Sequence, residues 1–512
     1  MNIITITICI IFLWFISQIK NSLFWLYLWQ IKNYHIGRFN DHFRTKRGKN
    51  LFLNPFYLTK VFSLILFFII PALPLILIVL EGLISLYKII KRKITLPVFT
   101  KKIIGLFFVT IVCFVFLFKT LDYTVLYTFA WKLLLINILT PFIVSFLVLL
   151  FQPFTFILRS FILIKAKNKR KTLKDLIVIG ITGSYGKSST KEYLYTILSS
   201  KFKGVKKTQE NNNSEIGISK YILENLNKED KYFICEMGAY NKGGIKLLCN
   251  IADPQIGILT GINNQHLSTF GSQENIVKAK FELIDYVKDF AVLNWDNYLI
   301  KNFNISKKNI YKYSYLEKQD IYAKDIKTFK DHIEFNVCLK EEKEYFKINV
   351  LGQQNVSNLL GAIFVANKLG MSLKEISKAC LEITEKQGGM TRINNFIDAT
   401  YSSNANGIMA HLNFLKLWSG KKIIVMPCLI ELQKESKRIH EEIGKKIAEI
   451  CDLAIITTPD NFEDLKKYGK EKIIFENNPS KILKRLGRYT DKEDIILLES
   501  RVPEEIIKKI RK

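Results

Sequence analysis

Leu176-Ile-Val-Ile-Gly180-Ile-Thr-Gly183-Ser184-Tyr185-Gly186-Lys187-Ser188-Ser189-Thr190 is the stretch whose reading decides the fold. An apolar strand runs into a glycine-rich turn, and Lys-Ser-Ser-Thr opens a helix. Glycines let the backbone curl so that successive N–H groups face one anion. The lysine adds a mobile positive charge, and the first hydroxyl suits a magnesium ion beside phosphates. The pattern points to a nucleoside triphosphate. Its spacing is Gly-x-x-Gly-Lys-Ser, because position 181 is Ile where the longer common phosphate loop has its first glycine. Taken alone, such a loop is also compatible with a plain strand-to-helix turn.

Around this loop the 512 residues separate by composition. A chain of this length allows roughly three domains. Up to about residue 165 apolar and aromatic runs dominate. Residues 1–18 carry no charge and lack the basic start and small-residue cleavage site of a secretory signal, so they read as a retained membrane segment. Further runs cover 61–90, 103–118 and 133–158. Each is near the roughly 20 residues that a helix needs to cross a bilayer. The expected organisation is a membrane region at 1–165 with about four hydrophobic segments, a central ATP-binding domain at 166–386, and a C-terminal domain at 387–512.

Lys and Arg number 75 against 46 acids, a net charge of +29. These basic residues are scattered, which argues against a nucleic-acid partner. Clusters do flank the membrane runs: Lys88, Lys91, Arg92 and Lys93, then Lys101 and Lys102, then Lys165, Lys167, Lys169, Arg170 and Lys171. They suit the positive-inside rule and anionic headgroups, making the lipid bilayer an expected partner. A loop that uses cytosolic ATP puts 165–171 inside, 121–124 outside and 88–102 inside. The basic 20–60 segment also prefers the inside, which conflicts with a single crossing by 61–90. A re-entrant hairpin broken at Pro71 and Pro74 resolves the conflict; both topologies stay open. The expected location is integral to the inner (cytoplasmic) membrane with the later domains cytoplasmic. Eight cysteines without a Cys-x-x-Cys pair argue for reduced thiols and no zinc site.

Beyond a basic linker at 165–175, strands and helices alternate. Strand candidates are 176–179, 232–236, 256–259 and 291–294, with helices at 188–200, 214–226 and 274–287. The alternation predicts an α/β fold with a mostly parallel sheet. Residues 309–350 read as hairpins, 357–369 as a helix, and Gly388-Gly389 as the entry to a third domain that alternates again through 495–498. Cys235-Glu236-Met-Gly238 ends a strand with a carboxylate, at the sheet edge where ligands bind. His266 follows another strand. Lys280 sits on the apolar face of a helix, where a snorkelling side chain is the ordinary reading.

Together these motifs resemble the Mur ligases, ATP-dependent amide-forming enzymes of cell-wall synthesis. The order is strand-GxxGK(S/T)(S/T), then Asn212-Asn213-x-x-Ile216-Gly217, then Glu236-x-Gly-Ala239, then His266-Leu-x-x-Phe-Gly-Ser-x-Glu274, then Ala279-Lys280-x-Glu-Leu, then Leu293-Asn294-x-Asp296. Asp398-Ala-Thr-Tyr401-Ser-Ser-Asn404, and Glu431-Leu432 followed by Ser436, His440 and Gly444, resemble the branch that adds D-alanyl-D-alanine, the MurF type. The resemblance covers about 175–460. It implies a P-loop central domain and a smaller Rossmann-like α/β C-terminal domain, with ATP and Mg2+ as cofactors. Gly183, Ser184, Tyr185, Gly186, Lys187, Ser188 and Ser189 would hold the nucleotide, with Asn294 and Asp398. Ser188, Glu236, His266 and Lys280 would be metal ligands, Lys280 as a carbamate. Lys187, Glu236, His266 and Lys280 would carry catalysis, and Asn212, Asn213, Tyr401 and Asn404 would meet substrate.

Departures accompany the resemblance. Gly261 stands where an asparagine is expected near adenine, Ala399 replaces a second aspartate, and Gln354 stands where the family usually has His. Membrane runs occupy the place of the domain that grips the UDP-sugar. The implied reaction joins the carboxylate of a cell-wall precursor to the amine of an amino acid or D-Ala-D-Ala through an acyl phosphate. A poly-γ-glutamate-type polymer synthase and a non-catalytic ATP-binding cell-wall scaffold are the alternatives. A transporter lacks any second nucleotide-domain signature.

Overall fold

The computed structural model describes residues 3–122, 124–209, 212–305, 307–401 and 404–511. Tyr123 of the 121–124 loop, and Ser402 and Ser403 of the 398–404 motif, lie outside the described residues. The chain forms two compact units, Met1–Leu158 and Arg159–Lys512.

The first unit is helical, with long helices at Ile3–Ile31, Leu73–Ile90, Lys101–Lys119 and Leu126–Leu150 and shorter ones at Ile36–His42, Lys46–Leu53 and Pro55–Ile65. The apolar run 61–90 is divided. A single 3-10 turn at Leu66–Phe68 ends one helix, and Pro74 sits in the first turn of the next. Proline lacks the N–H that a continuing helix would need, but the first turn has no use for it. Trp14, Phe114, Phe129 and Leu133 are buried between the helices. Phe68, Phe108, Phe116 and Phe146 face outward, each more than half exposed. Soluble monomers rarely show apolar surface on this scale. Among the described residues five segments are long and apolar enough to cross a membrane: Thr5–Ile31, Lys46–Phe68, Leu73–Ile90, Lys101–Lys119 and Leu126–Thr172.

The second unit contains two sheets. The first is built from β1 (Ile177–Thr182), β2 (Val205–Lys207), β3 (Tyr232–Glu236), β4 (Ile256–Leu259), β5 (Phe290–Asn294), β6 (Ile310–Ser314), β7 (Ile321–Thr328), β8 (Ile333–Leu339) and β9 (Glu342–Ile348). Their spatial order is β2-β3-β1-β4-β5-β6-β7-β8-β9. Pairing is parallel from β2 to β7 and antiparallel at β7–β8 and β8–β9, so the hairpins read at 309–350 extend this sheet. Both faces are covered, as parallel sheets require. Ile179 and Ile181 pack into one apolar cluster with helix Gln354–Lys368, while Val178 belongs to the opposite cluster with helix Gln273–Tyr286. Because β3 and β4 flank β1, strand order reverses there. Such a switch point opens a crevice at the carboxyl ends of the strands.

The second sheet holds β10 (Thr391–Ile393), β11 (Phe396–Ala399), β12 (Lys422–Met426), β13 (Leu453–Ile456), β14 (Ile473–Phe475) and β15 (Ile495–Glu499). Its order is β10-β11-β15-β12-β13-β14, parallel except for β10–β11.

Two of the basic residues at 165–171, read from sequence as headgroup contacts, are committed to protein. Lys169 donates to the Leu223 carbonyl at 2.8 Å. Arg170 is 4% exposed and donates to the carbonyls of Ala252 (2.9 Å), Leu173 (2.8 Å) and Leu176 (2.9 Å), fastening helix Gln152–Thr172 to the entry of β1. Arg170→Ala removes these donors, and the Leu173 carbonyl keeps only the bond from Leu176 N at 3.3 Å. The substitution should lower the unfolding free energy by about 2–4 kcal/mol, read by denaturant unfolding in detergent.

Candidate functional site

The loop between β1 and helix Lys187–Ser199 lies at the switch point. Gly186 ends it with φ +82°, and a Cβ there would lie 2.3 Å from Asn358 Oδ1, so both conformation and space demand glycine. Lys187 Nζ folds back over the loop and donates to the carbonyls of Gly183 (2.9 Å) and Ser184 (3.3 Å). Burial lowers the pKa of this ammonium, against the opposing pull of Glu236.

Glu236 is 4% exposed at the end of β3. Its Oε2 accepts from the Ser188 hydroxyl at 3.0 Å and its Oε1 from Asn213 Nδ2 at 3.0 Å. Lys191 Nζ pairs with Oε2 at 3.2 Å. Burial pushes the carboxyl pKa up, but Lys187, Lys191 and the two hydrogen bonds outweigh it, and Glu236 titrates below the ordinary range. Lys191 is 1% exposed and went unread in the sequence. Its signal was there: residue i+4 from Lys187 lies on the same helical face.

His266 takes a left-handed backbone (φ +63°) and opens the short helix Leu267–Phe270. Its Nδ1 lies 2.7 Å from Oε2 of Glu431, which comes from the loop after β12. Its ring meets Tyr240 edge to face at 4.9 Å. Desolvation lowers the imidazole pKa; Glu431 opposes this, and Lys280 and Lys187 reinforce it. Lys280 is 4% exposed, with its ammonium 5.7 Å from the Phe270 ring centroid. Burial first, and Lys187 second, push its pKa down to about 7. Lys187 thus lies close enough to bias the charge on Glu236, His266 and Lys280, and Lys280 that on His266.

The surrounding cleft, about 510 Å³, is lined by Ser184 to Ser189, Asn213, Glu236, His266 and Asn294, and from the second sheet's side by Tyr401, Asn404, His411 and Arg501. Tyr401 OH reaches Ser188 Oγ at 3.4 Å. Asn404 Oδ1 caps the helix Ala405–Phe414 through Gly407 N at 2.9 Å, and Asn294 Oδ1 accepts from Asp296 N at 3.1 Å. Asn212 is not among the cleft-lining residues. Asp398 lies in an adjoining pocket with Ser188, Ser189 and Lys191, where it accepts from Thr400 (2.6 Å) and Arg511 (2.7 Å). Gln354 and Ser357 line the main cleft, and among the described residues their Nε2 and Oγ atoms are buried without a hydrogen-bond partner. The departure at Gly261 has a local cause. A Cβ there would lie 2.1 Å from the Tyr185 ring, whose hydroxyl accepts from Asn297 Nδ2 at 3.1 Å.

This donor set suits a nucleoside triphosphate with magnesium. Mg2+ is commonly held by one or two carboxylates together with substrate phosphates, and Glu236 with Ser188 provides one carboxylate and one hydroxyl. Among the described residues no group of three or more His, Cys, Asp or Glu forms a self-sufficient metal cage. The phosphates would have to complete the shell.

Residues 181–366 match the Mur ligase middle domain. The chain carries a Mur ligase middle domain. The UDP-N-acetylmuramoyl-tripeptide–D-alanyl-D-alanine ligase of Bacillus subtilis is 27% identical over 62% of this chain and 69% of its own length. The Synechocystis protein of the same name is 31% identical over 53% of this chain and 59% of its own. The matched segment therefore spans about six to seven tenths of these relatives. Among solved structures, MurF ligase from Thermotoga maritima in complex with ADP superposes with a TM-score of 0.62 at 25% identity, covering 69% of this chain and 84% of that one. MurF from Acinetobacter baumannii superposes at 0.61 with 23% identity, covering 69% and 79%. The Mur ligase fold accounts for both sheets of the second unit.

Lys280 carries a pH signature. Its folded pKa lies near 7 and its unfolded value at 10.5, so between them the unfolded chain binds more protons and stability rises with pH. In bicarbonate-free buffer Lys280→Met should exceed wild type most below pH ~7, and the gap should close by pH ~10. Denaturation midpoints of both proteins across that range check this.

Proposed function

We propose that this protein is a membrane-bound, ATP-dependent ligase. It joins the carboxylate of a peptidoglycan precursor to the amine of an amino acid or of D-Ala-D-Ala. The observation that carries the reading is the meeting of the phosphate loop with Glu236, which Lys187, Lys191, Asn213 and Ser188 hold ionised at the end of β3. The Mur ligase middle domain around it and the ADP bound by a structural relative support ATP as the nucleotide.

Amide formation needs a better leaving group than oxide. A substrate carboxylate oxygen attacks the γ-phosphorus and ADP departs, leaving an acyl phosphate. The amine then attacks the acyl carbon, and the tetrahedral adduct expels phosphate as the nitrogen loses its proton. Lys187 and the loop N–H groups offset charge on the phosphates during the first step. Gln354 Nε2 and Ser357 Oγ are free to bond a bound ligand. Magnesium, held by Ser188 and Glu236, would supply Lewis-acid neutralisation of the phosphate oxygens. Tyr401 reaches Ser188 from the second sheet's domain, in keeping with a cleft that excludes water from a hydrolysable intermediate.

Lys280 is the proposed carbamate. An amine with a pKa near 7 is substantially unprotonated at neutral pH, the form that adds CO2, and the product is an anionic oxygen ligand. His266, oriented through Nδ1 by Glu431, leaves Nε2 for the second metal position. The exposed apolar helices of the first unit support a bilayer as its surroundings, with the ligase domains in the cytoplasm.

Lys187→Ala should lower turnover by about 10²–10³-fold while leaving the fold intact. Mass spectrometry of products from UDP-linked and lipid-linked muramyl tripeptide with D-Ala-D-Ala tests the reaction. Product from glutamate alone would favour the polymer-synthase alternative. Absence of product and of phosphate release with every acceptor would refute the ligase reading.

A further inference from the structure

The first unit buries an ion pair between its helices, in a largely apolar interior that also holds Ser17, Gln18, Ser63, Ser85, Asn137 and Thr140. Lys60 and Glu81 are 5% and 6% exposed. Lys60 Nζ lies 3.0 Å from Glu81 Oε2 and donates to Asn137 Oδ1 at 2.8 Å, while Asn21 Nδ2 donates to Glu81 Oε1 at 3.1 Å. Four helices meet in this cluster: Ile3–Ile31, Pro55–Ile65, Leu73–Ile90 and Leu126–Leu150. Charged groups at membrane depth are expensive, and a buried pair adds little net stability over apolar replacements. Helix register alone could be served by a tightly packed pair. Here, however, a cavity of about 180 Å³ lies against it, lined by Lys60, Glu81, Asn137 and Asn21 with the rings of Trp25, Phe56 and Tyr57.

We propose that this cavity binds an uncharged sugar ring carried on a membrane lipid. The ligand class follows from the lining. Lys60 and Glu81 offset each other within the lining, and the nearby Lys20, which donates to Ser85 Oγ at 3.1 Å, is not among the lining residues, so the wall itself presents a paired rather than a single charge. An ammonium has three donors, and two are used within the cluster; a carboxylate retains spare lone pairs after one bond at each oxygen. Hydroxyl groups, each both donor and acceptor, match that mixture. Trp25, Phe56 and Tyr57 add apolar wall beside these polar groups, a match for the C–H groups of a sugar. The cavity is smaller than those that enclose drug-sized ligands, and so takes a single ring.

Depth points the same way. Lys60 is five residues into helix Pro55–Ile65, about 7 Å below its first turn. That turn follows the basic segment with Arg44, Lys46, Arg47 and Lys49. A headgroup entering from that interface would reach the pair while its chain stayed among the apolar helices. The proposal rests on the bilayer reading of this unit and is independent of the ligase chemistry.

The test uses the full-length protein in a polyoxyethylene ether detergent, with octyl β-glucoside, octyl tetraethylene glycol ether and phosphatidylglycerol as competing probes, read by native mass spectrometry. Wild type should retain one octyl glucoside in preference to the other two. Lys60→Met combined with Glu81→Met should retain it at least tenfold less well while unfolding at an equal or higher temperature. Asn21→Leu, which leaves the ion pair in place, should weaken retention about fivefold and covers the case in which the double variant fails to fold. Equal retention of glucoside and ether by wild type, unchanged retention in the variants, or phosphatidylglycerol retained in place of the sugar would each overturn the proposal. None of these readouts needs ATP, so failure here leaves the ligase reading untouched, and the reverse.

Discussion

The second unit depends on keeping a carboxylate ionised in a place that disfavours it. Glu236 ends a strand with both faces covered, where desolvation alone would protonate it. Lys187 and, one helical turn beyond it, Lys191 supply the compensating charge, and Asn213 and Ser188 supply hydrogen bonds. Without that arrangement the loop would face a neutral acid and would lose its one nearby anionic ligand for a metal. The apolar helices on both faces bury the strand ends; the cations at the loop make the site charged.

The same economy of contacts explains two departures from the family pattern. Gly261 is compelled by the Tyr185 ring, which occupies the space a side chain would take and is itself tied to Asn297. Gln354 keeps a donor without a protein partner in the cleft, so a polar function survives where the family usually has His. Asp398 behaves differently: Arg511 and Thr400 already engage it, in a pocket beside the main cleft. A role for it at the ribose would require those bonds to be exchanged.

The two units solve opposite solvation problems. In the second, apolar side chains fill the sheet faces and charged ones stay outside or pair at the strand ends. In the first, phenylalanines and isoleucines cover the surface, while Lys60, Glu81, Asn137 and Thr140 lie inside. Arg170 shows why a basic run cannot be read as headgroup contacts by count alone. Its guanidinium faces inward and donates to the backbone carbonyls of Ala252, Leu173 and Leu176.

Much of this was legible in the chain itself. Strand periodicity located β3, β4 and β5 to within a residue and the start of β1, which runs three residues further than read, since each is a short apolar run bounded by turn residues. The loop lysine and serine are local, consecutive features, and so were readable. Strand β2 was not, because three residues containing two lysines carry no hydrophobic pattern. Lys191 was missed, and Glu431 was read as part of a motif without its partner, for a different reason: each looks like an ordinary surface charge until the fold shows what it faces. The sequence by itself determined the alternation of elements, the phosphate loop and the apolar runs, because these depend on neighbours along the chain. Only the tertiary structure decided which charges meet, that Glu236 is held by Lys191, His266 by Glu431 and Lys60 by Glu81, because burial and distance belong to the folded chain alone.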